Sequence, residues 1–214
     1  RYVAHQLKLH ADKLTMSGVE LEATIGVVDA NGRFTAGIPF EYFFNVVYAL
    51  NTARGLKWGD KKHETMMSVY DCNNTRTRFY QNTRVPDVIV KKKLWDVVVI
   101  CEGHPFDIRI THSLEEPTVA PLALQTAVHH RIQERWTYHY DTNTTYDLTK
   151  VSSGRSKDIA RQGVAKYEIE VEMVPPDRIS LVDAFCLTFV NRSLDLLGRY
   201  DRSQLLDIDM IIRP

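Results

Sequence analysis

Apolar and polar residues alternate with a period of two through most of this chain. In VELEATIGVVD (19–29), Val19, Leu21 and Ala23 fall on one side of an extended backbone and Glu20 and Glu22 on the other. The turn-like Asp29-Ala30-Asn31-Gly32 follows, so the spacing predicts a strand entering a hairpin. Alternation recurs over 75–81, 87–100, 106–115, 130–140, 144–151 and 165–173, which makes seven or more strands. Two segments switch to helical spacing. FEYFFNVVYALNTARG (40–55) follows Pro39, a residue suited to a first helical turn, and DRISLVDAFCLTFVNRSLDLLGR (177–199) follows Pro175 and Pro176 with Asp177 as its cap. The polar SSGRSKDIARQG (152–163) reads as a mobile loop. Many strands with two helices predict a mainly β (α+β) fold, an antiparallel barrel or sandwich, in a single domain over 1–214.

Composition narrows the partners. A hydrophobic fraction of 44% supports one buried core, and the 27 basic and 27 acidic residues cancel, so no global field advertises a polyanionic partner. Bound phosphate then requires positive charge concentrated locally. Cys72, Cys101 and Cys186 are far apart, odd in number and without CxxC spacing, which argues against a disulfide framework or a zinc site and for a reducing compartment. No leader pattern and no run near the roughly 18 apolar residues of a membrane span is present, so a soluble protein with no membrane partner is expected.

The charged strand faces carry the candidate chemistry. Glu20 and Glu22 share one face of the first strand, and Glu168, Glu170 and Glu172 share one face of the last. Either pattern alone is what the wet face of a half-buried sheet produces. Basic residues keep the same phase elsewhere: Arg76 and Arg78, Lys91 and Lys93, and Arg131, Gln133 and Arg135 in RIQER. If the strands close with polar faces inward, carboxylates and cations line one lumen, and five clustered acids call for a divalent cation to neutralise them. Oxygen ligands select Mg²⁺ or Mn²⁺. Asp107 with Arg109, Glu115 and Asp147 are further acids and a base in the same phase, whereas His63, His129, His130 and the aromatic WTYHY (136–140) match no metal motif and are assigned to packing.

Taken together these segments resemble the metal-dependent RNA 5′-triphosphatases of mRNA capping, of fungal and protozoan type, within the triphosphate tunnel metalloenzymes. VELEATIG resembles that family's first metal motif and YEIEVEM its last; RIQERWTY resembles its basic strand, TTYDLTKV the strand after it, and KKKLWDVVV with FDIRITHSLEEP its central pair. The resemblance implies a closed antiparallel barrel, the triphosphate tunnel, with helices packed outside. It implies that Glu20, Glu22 and Glu172 hold the metal, that Glu168 and Glu170 complete the acidic floor and position water, and that Asp147 reaches the metal through water. Glu115 would orient or deprotonate the attacking water, and Arg76 or Arg78, Lys91 and Arg135 would grip phosphate, with Arg131 supporting. Gln133 stands where the family usually has Lys; Lys93 or Arg109 then compensates, or phosphate is held less tightly. Thr24 in place of the E-x-E-x-K lysine separates the chain from the thiamine-triphosphatase and cyclase-like branch.

The implied activity is removal of the γ-phosphate from 5′-triphosphate RNA ends, the first step of cap formation, with a guanylyltransferase partner and a nuclear location. An inorganic polyphosphatase or nucleoside triphosphatase of the same tunnel fold is the enzymatic alternative. A noncatalytic β-barrel interaction module is the alternative of another class.

Overall fold

The structure is a computed structural model and describes residues 18–52, 61–119, 126–140, 143–173, 189, 191–193 and, as backbone, 210–213. Its strands are β1 (Val19–Val28), β2 (Phe34–Ala36), β3 (Lys61–Tyr70), β4 (Thr75–Tyr80), β5 (Asp87–Cys101), β6 (Asp107–Pro117), β7 (His129–His139), β8 (Thr144–Gly154), β9 (Lys166–Met173) and β10 (Met210–Arg213). Two helices, α1 (Phe40–Thr52) and α2 (Lys157–Gln162), complete the described elements.

β1 pairs with β6 on one side and β9 on the other, β6 pairs with β5, and β5-β4-β3-β7-β8-β9 run in antiparallel order back to β1. Eight strands therefore close into a barrel, which decides between barrel and sandwich. β2 adds to the far end of β1 and β10 to the far end of β5. Gly26 makes the first addition possible: a Cβ there would lie 2.3 Å from the Thr35 carbonyl oxygen and 2.6 Å from the Phe34 ring.

The hydrophobic core lies outside the barrel wall. Leu21, Ala23 and Ile25 of β1, Ile108 and Ile110 of β6, Tyr146 and Leu148 of β8, and Ile169 and Val171 of β9 point outward and are buried. Over them lies the apolar face of α1, formed by Tyr42, Phe43, Val46 and Leu50 at helical spacing. Phe43 meets Trp136 and Tyr167 at ring-centroid distances of 6.0 and 5.1 Å, and Tyr42 meets Phe106 at 4.6 Å. An amphipathic period-two strand must bury one face, and here the helix covers the apolar side. The charged side is left to the lumen.

Two elements differ from the pattern reading. β3 is a strand that alternation does not reveal, because KKHETMMSVY begins fully exposed and puts Met66, Ser68 and Tyr70 on the inner face. The expected loop over 152–163 is ordered instead: β8 runs on to Gly154, and Ser156, whose hydroxyl accepts from the Ile159 amide, caps α2. At Gly154 a Cβ would lie 2.6 Å from the Ile159 side chain, so α2 sits directly on the strand end. The first helix is described over Phe40–Thr52, and the last residues of the expected span, 53–55, lie outside the described residues. The helix expected over 177–199 lies mostly outside the described residues, although Phe189 and residues 191–193 are helical and Phe189 joins the core.

Candidate active site

Residues in register on adjacent strands share a face, and the register converts the separate charge phases into one ring. Glu22 stands opposite Glu172 and Thr24 opposite Glu170 across β1 and β9. Lys91 faces Glu115 across β5 and β6, Arg78 faces Ser68 and Arg76 faces Tyr70 across β4 and β3, and Ser68 faces Arg131 across β3 and β7. Together they surround a cavity of about 380 Å³. Its lining includes Glu20, Glu22, Glu115, Glu170 and Glu172 with Arg76, Arg78, Lys91, Lys93, Arg109, Arg131, Gln133 and Arg135. Both residues of the Arg76/Arg78 pair and of the Lys91/Lys93 pair thus face inward.

Asp147 and Glu168 are not among the lining residues, and each pairs with a cation that is: Arg135 Nη1 donates to Asp147 Oδ2 at 2.8 Å, and Arg131 is paired with Glu168. Thr137 Oγ1 also donates to Asp147 at 2.6 Å, and Arg135 Nε donates to Thr149 Oγ1 at 3.2 Å. Asp107 is structural, accepting the Val28 amide at 2.9 Å and the Cys101 amide at 3.1 Å at the barrel end. His63 stacks on Trp136 with ring centroids 5.0 Å apart, as packing predicts.

One end of the cavity is a dense ion-pair network. Arg76 Nη2 donates to Glu115 Oε1 at 2.7 Å, and Lys91 Nζ lies 3.3 Å from Glu20, 3.2 Å from Glu22 and 3.3 Å from Glu115. Burial pushes the Glu115 carboxyl up, but Arg76, Lys91 and Arg78 outweigh it and hold Glu115 below the ordinary carboxylate range. Burial likewise opposes ionisation of Glu22, while Lys91, the Thr24 hydroxyl and Arg109 bring it below the ordinary value. Glu20 goes the other way, raised by burial and by Glu115 against the pull of Lys91.

Around β9 negative charge is in excess. Burial, then Glu22 and Glu168, push Glu170 up to about 8, with Arg135 and Arg131 countering only in part. Burial, then Glu20, Asp147 and Glu22, push Glu172 up to about 8. Such carboxyls ionise at neutral pH only if another cation joins them. The donor set is oxygen alone, which suits a hard divalent ion. Among the described residues no three acids converge on one point as they stand, because Lys91 is inserted between Glu20 and Glu22. The acids therefore fit a metal in chemistry, and their placement would fit one once Lys91 leaves Glu20 and Glu22.

Positive charge has unmet capacity as well. The Nε–H groups of Arg76, Arg78 and Arg109 are buried in the structure without a hydrogen-bond partner. Arg109 is stacked on Phe34 of β2, its Cζ 4.9 Å from the ring centroid. All three guanidiniums belong to side chains that line the cavity, so their charge favours an anion held there.

Asp96, Tyr70, Ser68, Met66 and Thr111 complete the lining and were not legible beforehand. The register of β5 shifts between Lys93 and Trp95, so counting by twos from Lys91 lands on Trp95 while the bulge turns Asp96 inward. Lys93 Nζ then pairs with Asp96 at 3.1 Å.

Residues 54–188 match the family model of the mRNA capping enzyme, beta chain. The chain belongs to that family. It is an RNA 5′-triphosphatase of mRNA capping, a hydrolase that removes the terminal phosphate of RNA 5′-triphosphate ends in the first step of cap formation, and its family is metal-dependent. Solved structures of other proteins share this fold. S. pombe Pct1 RNA triphosphatase superimposes with a TM-score of 0.75 at 20% identity, over 90% of this chain and 92% of that one. The same protein in complex with the Spt5 CTD gives 0.76 at 19% identity, over 92% and 90%. The Mimivirus capping enzyme triphosphatase gives 0.60 at 13% identity, over 91% and 97%. No curated protein sequence matches this capping triphosphatase. Among the described residues no helix is long and apolar enough to cross a membrane.

Proposed function

We propose that this capping triphosphatase uses its lumen as the triphosphate site, with Glu20, Glu22 and Glu172 holding Mg²⁺ or Mn²⁺ and the arginines of the opposite wall holding the γ-phosphate. The observation that supports this most directly is that Arg76, Arg78, Arg109, Arg131 and Arg135 line one cavity together with Glu20, Glu22 and Glu172. A phosphoryl group would meet those guanidiniums with acceptor oxygens. A divalent ion bound there supplies charge neutralisation for the phosphate oxygens and an orienting charge for water.

The protein's own groups account for the rest. Glu115, kept ionised by Arg76, Lys91 and Arg78, accepts a hydrogen bond from the attacking water and aligns it with the γ-phosphorus. Glu170 helps to position that water from the floor. Water oxygen bonds to phosphorus and passes a proton to the Glu115 carboxylate as the bond from the γ-phosphorus to the β,γ-bridging oxygen breaks, and the diphosphate end leaves with the bonding electrons. Charge on the equatorial oxygens is met by Arg76, Arg78, Arg109 and Arg135, the last held in place by Asp147. Lys91, released from Glu20 and Glu22, and Lys93 at the exposed side of the cavity add to the same field, and Arg131 supports from its pair with Glu168.

The proposal extends to a guanylyltransferase that receives the diphosphate end and to a nuclear site of action. Both follow from the place of terminal-phosphate removal as the first step of cap formation. The test is release of terminal phosphate from triphosphate-ended RNA with Mn²⁺, set against tripolyphosphate and ATP. Glu20→Ala and Glu172→Ala should lose nearly all turnover, whereas Glu41→Ala on the exposed side of α1 should keep it. Equal activity in all three variants, or faster turnover of tripolyphosphate or ATP than of RNA ends, counts against the reading.

A further inference from the structure

Between Arg131 and Arg135 on β7 the inward-facing residue is neutral. Gln133 is 4% exposed and lines the cavity, and Ser68 of β3, 1% exposed, donates its hydroxyl to Gln133 Oε1 at 2.7 Å. Ser68 also lines the cavity and sits in register with Arg131 on one side and Arg78 on the other, so it belongs to the same ring. An amide has two chemically opposite ends: the nitrogen attracts a phosphate oxygen and the carbonyl repels it. Which end faces a bound phosphate therefore matters as much as whether an amide is present. A buried hydroxyl that donates to the amide oxygen fixes that choice.

We propose that Ser68 is a positioning residue, and that by holding Gln133 Oε1 it turns the amide nitrogen toward a non-bridging phosphate oxygen between Arg131 and Arg135. Neutrality is useful at this place. Arg131 and Arg135 are each bound by a neighbouring acid, Glu168 and Asp147. A cation at position 133 would be drawn to the same carboxylates, whereas an amide stays available to the ligand and adds no charge that product must leave behind. The inference rests on the lumen being the triphosphate site.

The test uses the full chain with Mn²⁺ and triphosphate-ended RNA. Ser68→Ala should raise KM about three- to tenfold with kcat within about twofold, the size expected for losing one neutral hydrogen bond's bias on a donor. Gln133→Met should raise KM about tenfold or more, the loss of a donor to a charged oxygen, and adding Ser68→Ala to it should change nothing further. Ser68→Thr, which keeps the hydroxyl, should return KM toward the parent value. Independently of any variant's folding, the side-chain amide protons of Gln133 in the parent protein should shift in NMR spectra on titration with tripolyphosphate. An unchanged KM in Ser68→Ala, a Ser68→Ala effect undiminished in the Gln133→Met background, or amide protons that do not move overturns the assignment. A parent protein inert toward RNA ends would instead overturn the reading of the lumen on which it rests.

Discussion

Replacing Glu172 by Gln removes a carboxyl that the lumen holds protonated to about pH 8 in the absence of a divalent ion. Below its ordinary value of 4.5 the group carries its proton in both the folded and the unfolded chain and affects stability little. As pH rises from 4.5 to 8 the unfolded chain releases that proton and the folded one keeps it, so stability falls by about 1.4 kcal/mol for each pH unit. At pH 7 the loss is about 3 kcal/mol, and above pH 8 it levels near 5 kcal/mol. Glutamine keeps the shape and does not titrate. In chelator, then, Glu172→Gln should melt roughly 6–12 °C above the parent at pH 7, using about 2–4 °C per kcal/mol for a domain of this size. The advantage should shrink toward pH 5 and grow toward pH 8. Adding Mn²⁺ should raise the melting temperature of the parent far more than that of the variant, and turnover by the variant should be nearly lost. Thermal unfolding by circular dichroism at pH 5, 6, 7 and 8, with chelator and with Mn²⁺, reads all of this. A variant no more stable than the parent at pH 7, or an advantage independent of pH, refutes the argument that excess buried carboxylate is the strained part of the metal-free fold.

Other perturbations test other parts of the structure. Asp147→Asn leaves the Arg135 guanidinium without its closest counter-charge and should destabilise the fold by about 3 kcal/mol; the double variant with Arg135→Gln should lose less than the two single losses combined, as read by urea unfolding. Gly26→Ala places a methyl 2.3 Å from the Thr35 oxygen and should cost about 1–3 kcal/mol as the β1–β2 hairpin opens. Because the hairpin carries Phe34 against Arg109, KM for triphosphate ends should rise as well. Cys72 is exposed, whereas Cys101 is buried and its thiol is pushed up to about 12 by burial and by Asp107. At pH 8 iodoacetamide should therefore modify Cys72 in the folded protein and Cys101 only after unfolding, as mapped by peptide mass spectrometry.

The alternation of apolar and charged residues along single strands was enough, by itself, to place Glu20 with Glu22, Glu170 with Glu172, and Arg131 with Gln133 and Arg135 on common faces, because side-chain direction in a strand depends only on position along it. It also located α1 and most strand cores. Strand closure was beyond its reach: that β1 lies between β6 and β9, and hence that Glu22 meets Glu172, depends on pairings between residues far apart in the chain. β3 escaped because its inner face is mixed and its outer face begins in water, so no period stands out. Asp96 escaped because a bulge reverses the phase of β5 within one residue. Asp147 and Glu168 have the right phase, and only the structure shows that they pair with Arg135 and Arg131, which line the cavity. The bond from Ser68 to Gln133 joins residues 65 apart in the sequence. Local chemistry chose the faces, and only the closed barrel decided which faces meet.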